Sequence, residues 1–176
     1  MIYHSILETP EIALRAIEPE DIELLYRWEN NSEVWIISST IAPFSRDILK
    51  KYIENSHLDI YSIKQLRLMI DCKKTKNTIG AIDLYNFDPH NRRTGVGIFV
   101  EPQFSAQGYG EKSLRCVLEY CKDVLFLDQV YSEITSINTP SLELFKKVGF
   151  ETNGMKKSWI KTPDGYIDEY ILQYIF

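Results

Sequence analysis

The chain has 176 residues, 44% apolar and 26% charged, a balance that fits one globular domain with a sizeable core. A formal net charge of -5 argues against a nucleic-acid surface, and no apolar run is long enough to span a bilayer. The start MIYHSILETPEIALRAIEPED lacks the basic beginning and apolar core of a signal peptide, so the expectation is a single cytoplasmic domain over residues 1–176 with neither nucleic acid nor membrane as partner.

In chain order, Ile12, Leu14 and Ala16 alternate as in a strand, and Pro19 opens a helix with Ile22, Leu25 and Tyr26 on one face, stopped by Asn30-Asn31. Ser45 is placed to cap a second helix carrying Ile48, Leu49, Tyr52 and Ile53. Between them SEVWIISSTIAPF has no period; its Trp35 and Phe44 suit either a loop anchored in the core or one that walls a ligand. LRLMIDC and TIGAIDLYNF are β-rich runs joined by the polar turn KKTKN, whose lysines read as solvated, and TGVGIFV adds a third strand to this meander.

After Val100 the pattern changes. EPQF makes a short connection, and from Gly110 onward Leu114, Val117, Leu118 and Cys121 recur at helical spacing above a charged back of Glu111, Lys112, Arg115, Glu119 and Lys122. A strand, VYSEITSI, leads to NTPSLELFKKVGF, where Asn138 or Thr139 caps a helix, Pro140 suits its first turn and Gly149 ends it. Two strands around a turn at Thr162-Pro163-Asp164-Gly165 close the chain. Cys72 falls in a strand and Cys116 and Cys121 in a helix without metal-ligand spacing, so they read as reduced core residues and no metal is expected.

SAQGYG, Ser105 to Gly110, is therefore a strand-to-helix loop. Such a loop presents unpaired backbone N–H groups beside the positive end of a helix dipole, which holds phosphate without basic side chains. It is not a Walker loop: Lys112-Ser113 supplies the tail, but Ala106 and Glu111 stand where the glycines would be. As a dinucleotide fingerprint it is weak, because Ser113 replaces the third glycine and the preceding strands form a meander. On the loop alone, anion binding and a plain tight turn remain open.

The meander, the glycine loop, the next strand and Asn138-x-x-Ser141 on a short helix ending Val-Gly-Phe together resemble the GNAT superfamily of acetyl-CoA-dependent N-acetyltransferases over nearly the whole chain. The likeness is carried by LRAIEPEDIELLYRWENN, IGAIDLYNFDPHNRR, the loop, INTPSLELFKKVGF and DGYIDEYIL, and is nearest to the subgroup of ribosomal-protein N-terminal and spermidine acetyltransferases. It implies an α+β fold, a mixed and mostly antiparallel central sheet with helices on both faces. It further implies acetyl-CoA as co-substrate, with pyrophosphate in the loop Ser105, Ala106, Gln107, Gly108, Tyr109 and Gly110, where Ser105 replaces the family's Gln or Arg. By the same resemblance the pantetheine arm pairs with the backbone of Ile98, Phe99 and Val100, and Asn138 and Ser141 touch the coenzyme, although helix capping equally explains those two.

Acetylating an amine requires a neutral amine, a polarised carbonyl and a proton for the thiolate. An alkyl ammonium of pKa about 10.4 is neutral in about one part in a thousand or less at pH 7, so a base must help. Asp83, on the side of its strand shared by Ala81 and Tyr85, and Glu133 are the candidates, with surface or structural roles open to both; His57 and His90 read as loop residues. A backbone N–H near Phe99 can polarise the carbonyl. The resemblance places the proton-donating tyrosine at Phe145, which has no hydroxyl, leaving Tyr131, Ser136 or water as donor. The expected acceptor is a polyamine such as spermidine, mostly from subgroup likeness, with the acidic residues Glu18, Glu20, Asp21, Glu29 and Glu33 fitting either attraction of a cation or a solvated helix face. The alternatives are the N-terminal amine of a ribosomal or other protein, or a non-catalytic acyl-CoA sensor; a homo-oligomer is compatible with all three.

Overall fold

The computed structural model describes residues 6–32, 35 and 40–176. Its centre is a seven-stranded sheet of β1 (Ile12–Ala16), β2 (Leu66–Cys72), β3 (Asn77–Asp88), β4 (Arg93–Val100), β5 (Gln129–Thr135), β6 (Glu151–Thr162) and β7 (Gly165–Ile175). The spatial order is β1-β2-β3-β4-β5-β7-β6, antiparallel everywhere except between β4 and β5. The one parallel pair follows from connectivity: α4 (Tyr109–Asp123) carries the chain from the end of β4 back to the start of β5.

Helices cover both faces, as the family resemblance implied. On one face Leu114, Val117, Leu118 and Cys121 of α4 and Phe145 and Val148 of α5 (Thr139–Val148) pack on Leu14, Ile70, Ile82, Val96, Val130 and Leu172. On the other, Leu25 and Trp28 of α1 (Ile22–Glu29) and Leu49 and Ile53 of α2 (Arg46–Glu54) pack on Met69 and Ala81, with Phe99 beside them. Ser45 Oγ accepts from Ile48 N–H and Asn138 Oδ1 from Ser141 N–H, the two caps the sequence marked. A single helical turn, α3 (Ile60–Ile63), capped by Asp59, was not legible: four residues are too few to show a period. All three cysteines are free and buried. Among the described residues no helix is long and apolar enough to cross a membrane.

Pro19 starts a 3-10 turn (Pro19–Asp21), and α1 begins at Ile22. Asp21, read from sequence as one of several acids able to attract a cationic ligand, is instead structural. It is 4% exposed, accepts from Arg15 Nη1 and Nη2 at 2.7 and 2.9 Å, and accepts the Glu18 N–H at 2.8 Å. Arg15 Nε also donates to Asp71 at 2.7 Å, so one guanidinium ties α1 to β1 and β2. Glu33, named with the same acids, lies outside the described residues, as do residues 34 and 36–39 of the loop after α1.

Burial pushes the Asp21 carboxyl up, but Arg15 and the Glu18 amide outweigh it and hold its pKa below the ordinary value. A depressed carboxylate contributes stability above its unfolded pKa of about 3.9 and loses it as pH falls through the lower folded value. Asp21→Asn is expected to cost about 2 kcal/mol at neutral pH. Denaturant titrations should show the gap between variant and wild type closing as the solution is acidified below the ordinary carboxylate range.

Candidate active site

β4 and β5 pair over only three rungs: Arg93 with Gln129, Thr94 with Val130, and Gly95 with Tyr131. Beyond these, β4 stays paired to β3 as far as Val100, and β5 to β7 as far as Thr135. The two halves of the sheet therefore open into a V with its vertex at Gly95 and Tyr131. A strand edge is a row of N–H and C=O groups requiring partners, and an extended ligand arm can supply them by strand addition. On the open edge of β4, Ile98, Phe99 and Val100 are only partly buried. On β5, Thr135 is 3% exposed and its Oγ1 is buried without a hydrogen-bond partner among the described residues.

The glycine loop caps the open end of β4. α4 has no side-chain cap at Gly108, so its first amides are left unpaired by the helix, whereas Ser45, Asp59 and Asn138 cap theirs. Gly108 has φ 82°, and a Cβ there would meet nothing within 4 Å, so it combines a left-handed backbone with open space in front of the amides. Gly110 has a different reason from the anion approach expected of it. A Cβ there would lie 3.2 Å from Leu144 Cδ2 and close to Val100 and Ile98, so this glycine lets α4 seat against α5 and β4. Ala106 also takes a left-handed φ of 59°, Ser105 N–H closes onto Pro102 O, and Gln107 Nε2 donates to Gln103 O, leaving the loop internally braced. Tyr109 is half-buried, its hydroxyl accepting from Cys72 Sγ at 3.5 Å.

The other candidate residues divide. Asn138 and Ser141 meet as cap and capped amide at 3.3 Å, at the end of β5 facing the V. Phe145 lies in the core at 1% exposure, edge-on to Phe150 at 4.8 Å. Tyr131 sits at the vertex, but its hydroxyl lies 3.5 Å from Asn86 Nδ2, and Asn86 is beyond the vertex on the closed side. That direction counts against Tyr131 as the substitute proton donor. Ser136 lies in the turn after β5, with its N–H on Asp168 O. Asp83 is held bidentately by Arg67, whose Nε and Nη2 reach its two oxygens at 2.7 and 2.9 Å. Glu133 is paired with Lys156 at 2.5 Å, and Lys156 reaches Glu169 at 3.0 Å.

Several residues here escaped the sequence reading. Glu101, 7% exposed at the end of β4, accepts from Trp28 Nε1 at 2.7 Å, Arg27 at 2.5 Å and Gln103 at 2.7 Å. Burial raises its pKa, but these three donors outweigh that and leave it lowered. Arg67 bridges Asp83 and Glu29, and its own pKa is driven well up by those carboxylates against the cost of burial. On the α1 and α2 face, then, Arg15, Arg67 and Lys156 each serve two carboxylates, leaving every group with one net negative charge. Next to Lys156, whose Nζ lies 4.9 Å from the centre of the Trp159 ring, an open cavity of 380 Å³ is lined by Ser32, Trp35, Thr40, Trp159, Ile160, Lys161 and Pro163.

The two loop glycines give separable expectations. Gly108→Val forces a β-branched residue into φ 82° and should weaken acetyl-CoA binding on the order of tenfold, with the fold kept. Gly110→Ala crowds Leu144 and should lower the melting temperature first. Calorimetric titration together with thermal denaturation of both variants checks this.

The profile of the family described as "Acetyltransferase (GNAT) domain" matches residues 11–151. The chain is 24% identical to the L-amino acid N-acetyltransferase of Escherichia coli over 92% of this chain and 96% of that protein. It is 23% identical to the spermidine N(1)-acetyltransferase of Vibrio cholerae over 82% of this chain and 81% of that protein. A crystal structure of spermidine N-acetyltransferase from Vibrio cholerae, in complex with CoA and spermine, superposes with a TM-score of 0.85 at 20% identity, covering 95% and 96% of the two chains. The V between β4 and β5, the uncapped helix at its mouth and a family match over most of the sequence agree, and the chain belongs to the GNAT family of acetyltransferases.

Proposed function

We propose that the protein transfers the acetyl group of acetyl-CoA to a primary amine of a polyamine such as spermidine. The observation that carries the acceptor class is the repeated grouping of one cation with two carboxylates on the α1 and α2 face, which keeps a negative field there even though each acid is paired. A polycationic amine is drawn to that field. The Vibrio enzymes named for spermidine support the same class. A solved form of that enzyme is dodecameric, and we extend self-assembly to this chain on the same footing.

In this reading the coenzyme's pyrophosphate lies on the uncapped amides at Gly108 to Gly110, and its arm completes the open edge of β4 from Ile98 to Val100. Asn138 and Ser141 flank it from the start of α5. The amine arrives from the opposite side, past Lys156 and Glu133. Glu133 is a better relay for the ammonium proton than Asp83, because Arg67 occupies both oxygens of Asp83 whereas Glu133 is exposed and shares one lysine with Glu169.

The tryptophan-lined cavity favours a second reading. Trp35 and Trp159 offer aromatic surface and Lys161 a cation, which suits a small amine bearing an apolar group and a carboxylate, such as an amino acid. Thiol release from acetyl-CoA across spermidine, L-amino acids and N-terminal peptides separates these. The expected result is turnover of spermidine with a KM that rises with salt, because screening acts beyond a Debye length of about 8 Å at physiological ionic strength. Turnover of amino acids or peptides with none of spermidine would overturn the polyamine reading.

A further inference from the structure

Tyr85, Gly95 and Tyr131 form one row across β3, β4 and β5, and that row is the last before the sheet opens. The Tyr85 ring lies on the α1 and α2 face of β4. A Cβ on Gly95 would fall 2.3 Å from Tyr85 Cε2, and one on Gly97 would lie 3.9 Å from Cε1, so the ring crosses β4 where glycine leaves room. Tyr131 packs edge-on against it at 5.9 Å. Glu133, two residues past the last rung on β5, lies beyond β4 close enough to act on the Tyr85 hydroxyl. The ring thus reaches across β4 toward the strand where the sheet opens. Among the described residues no hydrogen-bond partner of the Tyr85 hydroxyl is found, so its proton is there to donate.

We propose that Tyr85 is a preorganised hydrogen-bond donor to the negative charge that develops on the thioester during acyl transfer. The proposal rests on the reading that the coenzyme lies in the V with its phosphates at the glycine loop, which sends the acyl end toward the vertex. The amine nitrogen forms its bond to the carbonyl carbon, the carbon–sulfur bond breaks, and the electron pair leaves on sulfur. The amine's proton passes to solvent through Glu133, and the thiolate is protonated from solvent. Tyr85 keeps its own proton throughout. Burial, with Tyr131, Glu133 and Glu169 near, raises the Tyr85 pKa, so the hydroxyl remains protonated at every pH where the enzyme works. Such a group is a poor acid but a constant donor. It supplies charge stabilisation in a chain whose residue 145 is a phenylalanine.

Tyr85→Phe keeps the ring over Gly95 and removes only the hydroxyl. The expected result is a kcat lower by about 10² to 10³-fold, the range for loss of one oxyanion donor. Acetyl-CoA affinity and amine KM should be unchanged, and the pH profile should keep its shape because no titrating acid has been lost. An unchanged kcat, or a loss confined to coenzyme affinity or KM, would overturn the proposal; so would disappearance of the alkaline limb, which would make Tyr85 a proton-transferring acid. Gly108→Val run alongside separates the two levels. Wild-type acetyl-CoA affinity in that variant removes the coenzyme from the V and sinks both readings. A weakened Gly108→Val with full activity in Tyr85→Phe sinks the role of Tyr85 alone.

Discussion

Everything at the candidate site follows from the parting of two strands that pair for three rungs and then diverge. Buried backbone groups without partners are costly, so a sheet does not open inside a protein unless something else answers its edges. Here each strand is held from its outer side, β4 by β3 and β5 by β7, while Trp28, Arg27 and Gln103 grip Glu101 at the tip of β4. The V is therefore kept open by the fold. What remains unsatisfied faces inward: the edge of β4, the hydroxyl of Thr135 and the first amides of α4.

This arrangement divides the work between the two faces of the sheet. The face bearing α4 and α5 is apolar up to the cleft, and Phe145 begins an aromatic row that continues through Phe150, Tyr174 and Phe176 at 4.8 to 5.4 Å spacings. A hydroxyl at position 145 would have to find a partner in that core or in the cleft, whereas phenylalanine simply packs. The opposite face carries its own apolar cluster under α1 and α2 and, beside it, groups of paired charges. Its carboxylates outnumber its cations within each cluster, and its tyrosines stand at the vertex.

Much of this was legible in the sequence. Alternation marked β1, β-rich runs marked β2 and β3, Ser45, Asn138 and Gly149 marked helix ends, and the Thr162 to Gly165 turn marked the last hairpin, because each of these is a local rule acting within a few residues. The parts that were missed depend on distant partners. Glu101 looks like a surface acid until the Trp28 indole, 73 residues earlier in the chain, is brought to it. Nothing near Gly110 in the sequence shows that its missing Cβ also makes room for Leu144. Asp83 and Glu133 were picked out as carboxylates near the cleft, but Arg67 and Lys156, which pair with them, follow no spacing rule. Tyr85 left a readable trace: Gly-Val-Gly in one strand beside an aromatic in the strand before it is the pattern of a ring lying across a glycine.

The bond between Cys72 and Tyr109 bears on how the loop can work over time. It ties the aromatic of the glycine loop to β2, a strand buried in the middle of the meander, while Gln107 and Ser105 close the loop on itself. A loop fastened at several points has little freedom left to lose. Its amides stand ready before any anion arrives, so the ordering entropy that a floppy loop would surrender on each encounter has already been settled during folding. On the proposed placement of the coenzyme, selectivity among phosphorylated ligands falls to the shape of the V behind the loop, not to the loop's ability to wrap around whatever enters.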